Sequence, residues 1–126
     1  MKTKVLLVVF VALFGISSIV SAGGNRVEAC VTGGGSDADG VWLNSVGTVT
    51  YDLTAFAYCA TSNGYARAHA ALEPTSNRCS AEKVGAVGSV SDSKSGTVPH
   101  ASYYALTVDA EASIGGYAYA TAQASW

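Results

Sequence analysis

Polar and apolar residues alternate along much of this chain, most clearly near its C-terminus. Tyr104, Leu106, Val108, Ala110, Ala112 and Ile114 interleave with Ala105, Thr107, Asp109, Glu111 and Ser113. A period of two with charge on one side predicts a half-buried strand, because a helix would scatter Asp109 and Glu111 around the apolar stripe. The alternation resumes after Gly115-Gly116, with Ala118, Ala120, Ala122, Ala124 and Trp126 against Tyr117, Tyr119, Thr121, Gln123 and Ser125. Glycine reaches positive φ without steric cost, so the two runs are expected to form a hairpin. A loop of Ile114-Gly115-Gly116 keeps the faces separate, pairing Ala112 with Ala118 and Ala110 with Ala120. A two-residue loop would mix them.

The same pattern occurs upstream. Val49, Tyr51, Leu53, Ala55, Ala57 and Cys59 alternate with Thr50, Asp52, Thr54, Phe56, Tyr58 and Ala60. Asn63-Gly64 is a strong hairpin signal. The expected return strand puts Ala66, Ala68, Ala70 and Leu72 inward, and Glu73-Pro74 stops it. Tyr51, Leu53, Thr54 and Ala57 recur as Tyr104, Leu106, Thr107 and Ala110, and Gly64-Tyr65-Ala66 as Gly116-Tyr117-Ala118. Alanine-rich alternation carries little information, so duplication and a shared packing rule both explain the echo.

Weaker strands are expected at 26–32, at 41–43 leading into the run from Val46 onward, and at 83–91 as a glycine-weakened edge. Turns are expected at 33–40, 75–78 and 92–99. No segment has a helical period. The expectation is an all-β fold, a small antiparallel sandwich or barrel of about six to eight strands.

Composition adds a compartment. The chain has 126 residues, 49% hydrophobic and 13% charged, but much of the apolar excess sits in one place. Lys2 and Lys4 precede an unbroken apolar run over 5–14, and Val20-Ser21-Ala22 supplies small residues for a peptidase. Residues 1–22 therefore read as a signal peptide and 23–126 as a secreted domain, extracellular or periplasmic. The run is short for a membrane span of ~20 residues, so the mature protein is expected to have no stable span. A double-glycine leader ending near Gly23-Gly24 fits the strongly apolar run less well.

The domain after Ala22 has five Lys and Arg against nine Asp and Glu, a formal charge of −4. Nucleic acid is excluded as a partner, as is a cationic membrane-lytic peptide, since both need positive charge.

Export favours oxidised cysteines, and Cys30, Cys59 and Cys79 all remain after cleavage. Cys59 falls at an inward position, as a buried free thiol acting as a small hydrophobe. A Cys30–Cys79 disulfide is the first expectation, with an intermolecular bridge as the alternative.

Candidate chemistry is sparse. Gly33 to Gly40 contains Asp37 and Asp39 but lacks the further oxygen ligands of a calcium loop, and reads as an acidic turn. Ser91-Asp92-Ser93-Lys94 matches S-x-x-K only by chance, because one lysine cannot serve two separate motifs. His69 and Asp52 could join a serine on paper, yet no spacing singles them out. The two histidines, His69 and His100, read as exposed or turn residues, and no cofactor or metal is implied.

The aromatics are more informative. Tyr58, Tyr65, Arg67, His69, Tyr117 and Tyr119 fall on outward positions, with Tyr58 opposite His69 in the expected first hairpin. Tyrosine beside Asp, Glu, Gln or Arg is recognition chemistry for proteins or sugars. The expected function is binding without catalysis, as an effector, toxin, inhibitor or recognition module, with an extracellular protein or carbohydrate as ligand. The alternative is a surface or fibre subunit, open to forming homo-oligomers through strand edges. A β-barrel pore ranks third, since Asp109 and Glu111 suit a lipid-facing wall poorly.

Overall fold

The computed structural model describes residues 23–43, 47–99 and 104–126. The expected leader, 1–22, and His100 lie outside the described residues. Eight strands follow in order: β1 (Gly24–Thr32), β2 (Gly35–Leu43), β3 (Val49–Cys59), β4 (Tyr65–Glu73), β5 (Asn77–Val84), β6 (Gly88–Val98), β7 (Tyr104–Ala112) and β8 (Gly116–Ser125). They form two four-stranded antiparallel sheets, β1-β8-β3-β6 and β2-β7-β4-β5. The expected all-β sandwich is present.

Its connections differ from the expected ones. β7 and β8 belong to opposite sheets, as do β3 and β4. The two expected hairpins are arches, in which the chain steps across the core and the strands face each other. Ala112 pairs with Ala66 and Gly35, and Ala118 with Val31 and Ala57, but not with one another. A hairpin and an arch need the same alternation, since both hide one face of each strand. Gly115 does take positive φ, whereas neither Asn63 nor Gly64 does, so no type I′ turn forms there. Among the described strands, β4 and β5 are the only consecutive pair within one sheet. Thr75 closes their turn, donating from its hydroxyl to the Leu72 carbonyl and accepting from the Asn77 amide.

Two strands lie where turns were expected. β2 contains Gly35-Ser36-Asp37-Ala38-Asp39-Gly40, and β6 extends through Ser91-Asp92-Ser93-Lys94-Ser95-Gly96. Both are edge strands with largely exposed residues, so pairing with β7 and β3 overrides low strand propensity. The expected strand over 83–91 is split by the arch at Gly85.

Advancing each strand number by four turns the order of the first sheet into that of the second, read backwards. The echo between 51–70 and 104–122 follows this map, β3 onto β7 and β4 onto β8. Asn25-Arg26, one residue into β1, likewise matches Asn77-Arg78 at the start of β5. The sandwich is therefore a topological repeat of two four-strand halves.

The core is tapered. Leu43, Val49, Tyr51, Leu53, Leu72, Tyr104 and Leu106 fill the half nearest the chain ends. Alanines such as Ala57, Ala66, Ala68, Ala112 and Ala118 fill the half beneath the arches. Small side chains let facing strands approach closely there, and the crowding shows at Gly116. A Cβ on that residue would lie 2.6 Å from the Tyr65 carbonyl oxygen.

The cysteines are free thiols, which corrects the expected Cys30–Cys79 bridge. Cys30 points outward from β1, an edge of the first sheet. Cys79 is 3% exposed on β5, at the far side of the sandwich. Cys59 is fully buried as expected, and its thiol donates to the Lys83 carbonyl at 3.3 Å.

Candidate recognition faces

Strand alternation divides the outward side chains between two opposite surfaces, and the six expected binding residues divide with them. Tyr58, Tyr117 and Tyr119 lie on the first sheet, while Tyr65, Arg67 and His69 lie on the second. The expected opposition of Tyr58 and His69 does not form, because β3 and β4 are in different sheets.

On the first sheet, register sets Tyr58 beside Tyr117 and Phe56 beside Tyr119. The Phe56 and Tyr117 rings meet edge to face, with centroids 5.9 Å apart and planes at 61°, the arrangement favoured by ring quadrupoles. Phe56, Tyr117 and Tyr119 are half-buried against one another and Tyr58 is 39% exposed. On the β1 side, the Cys30 thiol donates to the Tyr117 hydroxyl at 3.8 Å. That contact, with some burial, raises the Tyr117 pKa.

Further along the same strands the surface becomes a lattice of hydroxyls and amides. Thr54 pairs with Thr121, Asp52 with Gln123 and Thr50 with Ser125. On β6, Ser89, Ser91, Ser93, Ser95 and Thr97 continue the rows outward. A shallow hollow of about 260 Å³ opens among Thr50, Asp52, Ser95, Gln123 and Ser125. Arg26 ties the regions together, donating to the Gln123 side-chain Oε1 at 3.1 Å and the Tyr119 hydroxyl at 3.3 Å. Phe56 and Asp52 are four residues apart on one strand, so the aromatic cluster and the hollow are about 14 Å apart.

The second sheet presents charge. Arg67 donates to Glu111 at 3.0 Å and Glu82 at 3.4 Å, and its guanidinium lies 5.4 Å from the Tyr65 ring centroid. The Tyr65 hydroxyl donates to Glu111 at 3.2 Å, and that bond raises the tyrosine pKa. His69 Nδ1 lies 3.2 Å from Asp109 Oδ1, so Asp109, not Asp52, is the carboxylate beside this histidine. Ser80 is the cross-strand neighbour on its other side. Asp109, His69 and Ser80 supply the residue types of a hydrolytic triad, and a hollow of about 250 Å³ lies beside them. Only the histidine–aspartate link is made, and the Ser80 amide is taken by Asp92 at 3.2 Å.

Alternation alone puts Phe56 and Gln123 outward with Tyr58, Tyr117 and Tyr119, although only the tyrosines are expected as binding residues, and it does not bring Asp52 to them. The β6 hydroxyls were missed as well. The period of two in Ser89, Ser91, Ser93, Ser95 and Thr97 was the signal that could have found them. Comparison with protein-family models gives no match, and comparison with curated proteins gives none either.

Proposed function

We propose that this chain is an exported recognition module that binds carbohydrate along the outer face of its first sheet, without catalysis. One observation carries the reading. Phe56, Tyr58, Tyr117 and Tyr119 form an aromatic platform in line with a polar hollow containing Asp52, Ser95 and Gln123. Aromatic faces take up the apolar C–H surface of a sugar ring, while carboxylate, amide and hydroxyl groups fix its hydroxyls. A span of about 14 Å between the two suits an extended oligosaccharide rather than a single ring. Hydrogen bonding to Arg26 and edge-to-face ring packing hold the platform in place, which lowers the entropic cost of binding.

Assembly into fibres is less well supported. Each side of the sandwich carries an inward-pointing aspartate on an edge strand, Asp37 or Asp92. Each accepts a backbone N–H of the facing edge strand that an added strand would need. Retention of residues 23–126 on a panel of immobilised polysaccharides tests the reading. Binding that is lost in Tyr58→Ala and Asp52→Ala supports it, and retention on none of the panel contradicts it.

A further inference from the structure

The hollow of the first sheet holds a carboxylate, Asp52, whose charge is not compensated among the described residues. Strand register makes Arg26, Glu28 and Asp52 the outward charged residues of the four strands of that sheet. Arg26 is committed elsewhere: it pairs with Glu28 at 3.4 Å and donates to Gln123 and Tyr119. Lys94 on β6 lies opposite Leu53, among the alternate positions that belong to the other side of the sheet. No ion pair or hydrogen bond joins Asp52 to another described residue.

The residue beside it is held in one orientation. Asp52 and Gln123 are directly opposed on β3 and β8, which sets their Cβ atoms about 5 Å apart. A guanidinium only donates, so the amide oxygen of Gln123 is the atom that faces Arg26, and its NH2 group is left as a donor. Ser95 stands opposite Asp52 on the other side, and Thr50 and Ser125 complete the hollow with hydroxyls that give or accept. A volume of about 260 Å³ is thus lined by an anion and, next to it, a fixed donor.

On the carbohydrate reading of this face, on which the proposal rests, we infer that the unit seated in the hollow is an amino sugar with a free amine. Its ammonium neutralises Asp52 and donates to it a charge-assisted hydrogen bond. The hydroxyl on the adjacent ring carbon accepts from the Gln123 amide through its oxygen. A neutral sugar offers the carboxylate only hydroxyl donors, and so gains less. An acetylated amine has lost the charge, and an acidic or sulfated sugar sets a second anion against Asp52.

Titration calorimetry of residues 23–126 with hexamers of glucosamine, N-acetylglucosamine and glucose, all in the same linkage, tests this. The three differ in one ring substituent: ammonium, acetamide or hydroxyl. At mildly acid pH, where its amines are charged, the glucosamine hexamer should bind about tenfold more tightly than either of the others. Asp52→Asn should erase that preference while leaving the glucose affinity and the thermal midpoint unchanged, since the exposed amide still accepts a hydrogen bond. Asp109→Asn removes the same charge from the opposite face and should keep the preference, which separates the site from general attraction to an acidic domain. Equal affinity for the three hexamers, or a preference lost equally in both variants, overturns the inference and leaves carbohydrate binding standing. So does retention on other polysaccharides with no binding of the glucosamine hexamer. Failure to bind any hexamer or any polysaccharide overturns both.

Discussion

Asp37 Oδ2 lies 3.1 Å from the backbone nitrogen of Cys30, joining an edge strand of one sheet to an edge strand of the other. Asp92 does the same on the opposite side of the sandwich, accepting from Ser80 at 3.2 Å. Both carboxylates also accept from the next residue's amide, Ala38 and Ser93, with their second oxygen. An edge amide bonded in this way is not offered to another chain. Asp37→Ala and Asp92→Ala should each lower unfolding free energy by about 1–3 kcal/mol, the cost of removing an acceptor that carries charge. The double variant should elute as larger species at rising concentration on size exclusion, while the unaltered domain does not. Equal elution of the two would show that these contacts do not guard the edges.

The three thiols should differ sharply in reactivity. Cys30 is exposed on β1, whereas Cys59 and Cys79 are buried. Burial, reinforced by the charge of Asp92, pushes the Cys79 thiol up to about 11, and a thiol held protonated is a poor nucleophile. A brief iodoacetamide treatment near pH 8 should add one group to the folded domain, at Cys30, and three after denaturation. Mass spectrometry reads both results directly.

Stability should fall on the alkaline side. An acid whose pKa rises on folding keeps its proton more firmly in the folded chain. Its contribution is complete below the unfolded pKa and is lost as pH rises through the folded one. For Cys79 that window runs from 9.0 to about 11. Tyr65 and Tyr117 act in the same direction above their ordinary value of 10.0. The urea midpoint should therefore decline above about pH 9. Cys79→Ala should remove the part of the decline that begins there, leaving the tyrosine part above pH 10.

The tapered core makes small residues matter. A Cβ at Gly116 would meet the Tyr65 carbonyl oxygen at 2.6 Å and the Ala112 side chain at 3.1 Å. Gly116→Ala should destabilise by about 1–3 kcal/mol, because backbone must shift to admit it. At the other end of the core, Leu53→Ala removes a fully buried side chain and should cost about 2–5 kcal/mol. Urea denaturation of each variant checks both.

Alternation made the inward and outward faces of β3, β4, β7 and β8 legible, since burial of one strand face is set within that strand. It did not reveal which strand lies alongside. Ala112 and Ala118 satisfy the same pattern as hairpin partners or as residues facing each other across a core, and Gly115 at positive φ serves either path. The binding residues were split for that reason. Tyr65, Arg67 and His69 went to one surface and Tyr58, Tyr117 and Tyr119 to the other once β4 and β8 changed sheets. β2 and β6 were hidden because Ser, Gly and Asp carry little strand signal, and only pairing with β7 and β3 orders them. The Cys30–Cys79 expectation failed for the same lack of tertiary placement.

The central claim, recognition of carbohydrate by the first sheet, is tested most directly by affinity electrophoresis of residues 23–126 through gels containing soluble polysaccharides. At least one polysaccharide should retard the domain. Tyr58→Ala, Tyr117→Ala and Asp52→Ala should each weaken that retardation about tenfold, while Tyr65→Ala and His69→Ala on the opposite face should leave it unchanged. Free migration through every polysaccharide, or loss of retardation only when the second sheet is altered, would contradict it.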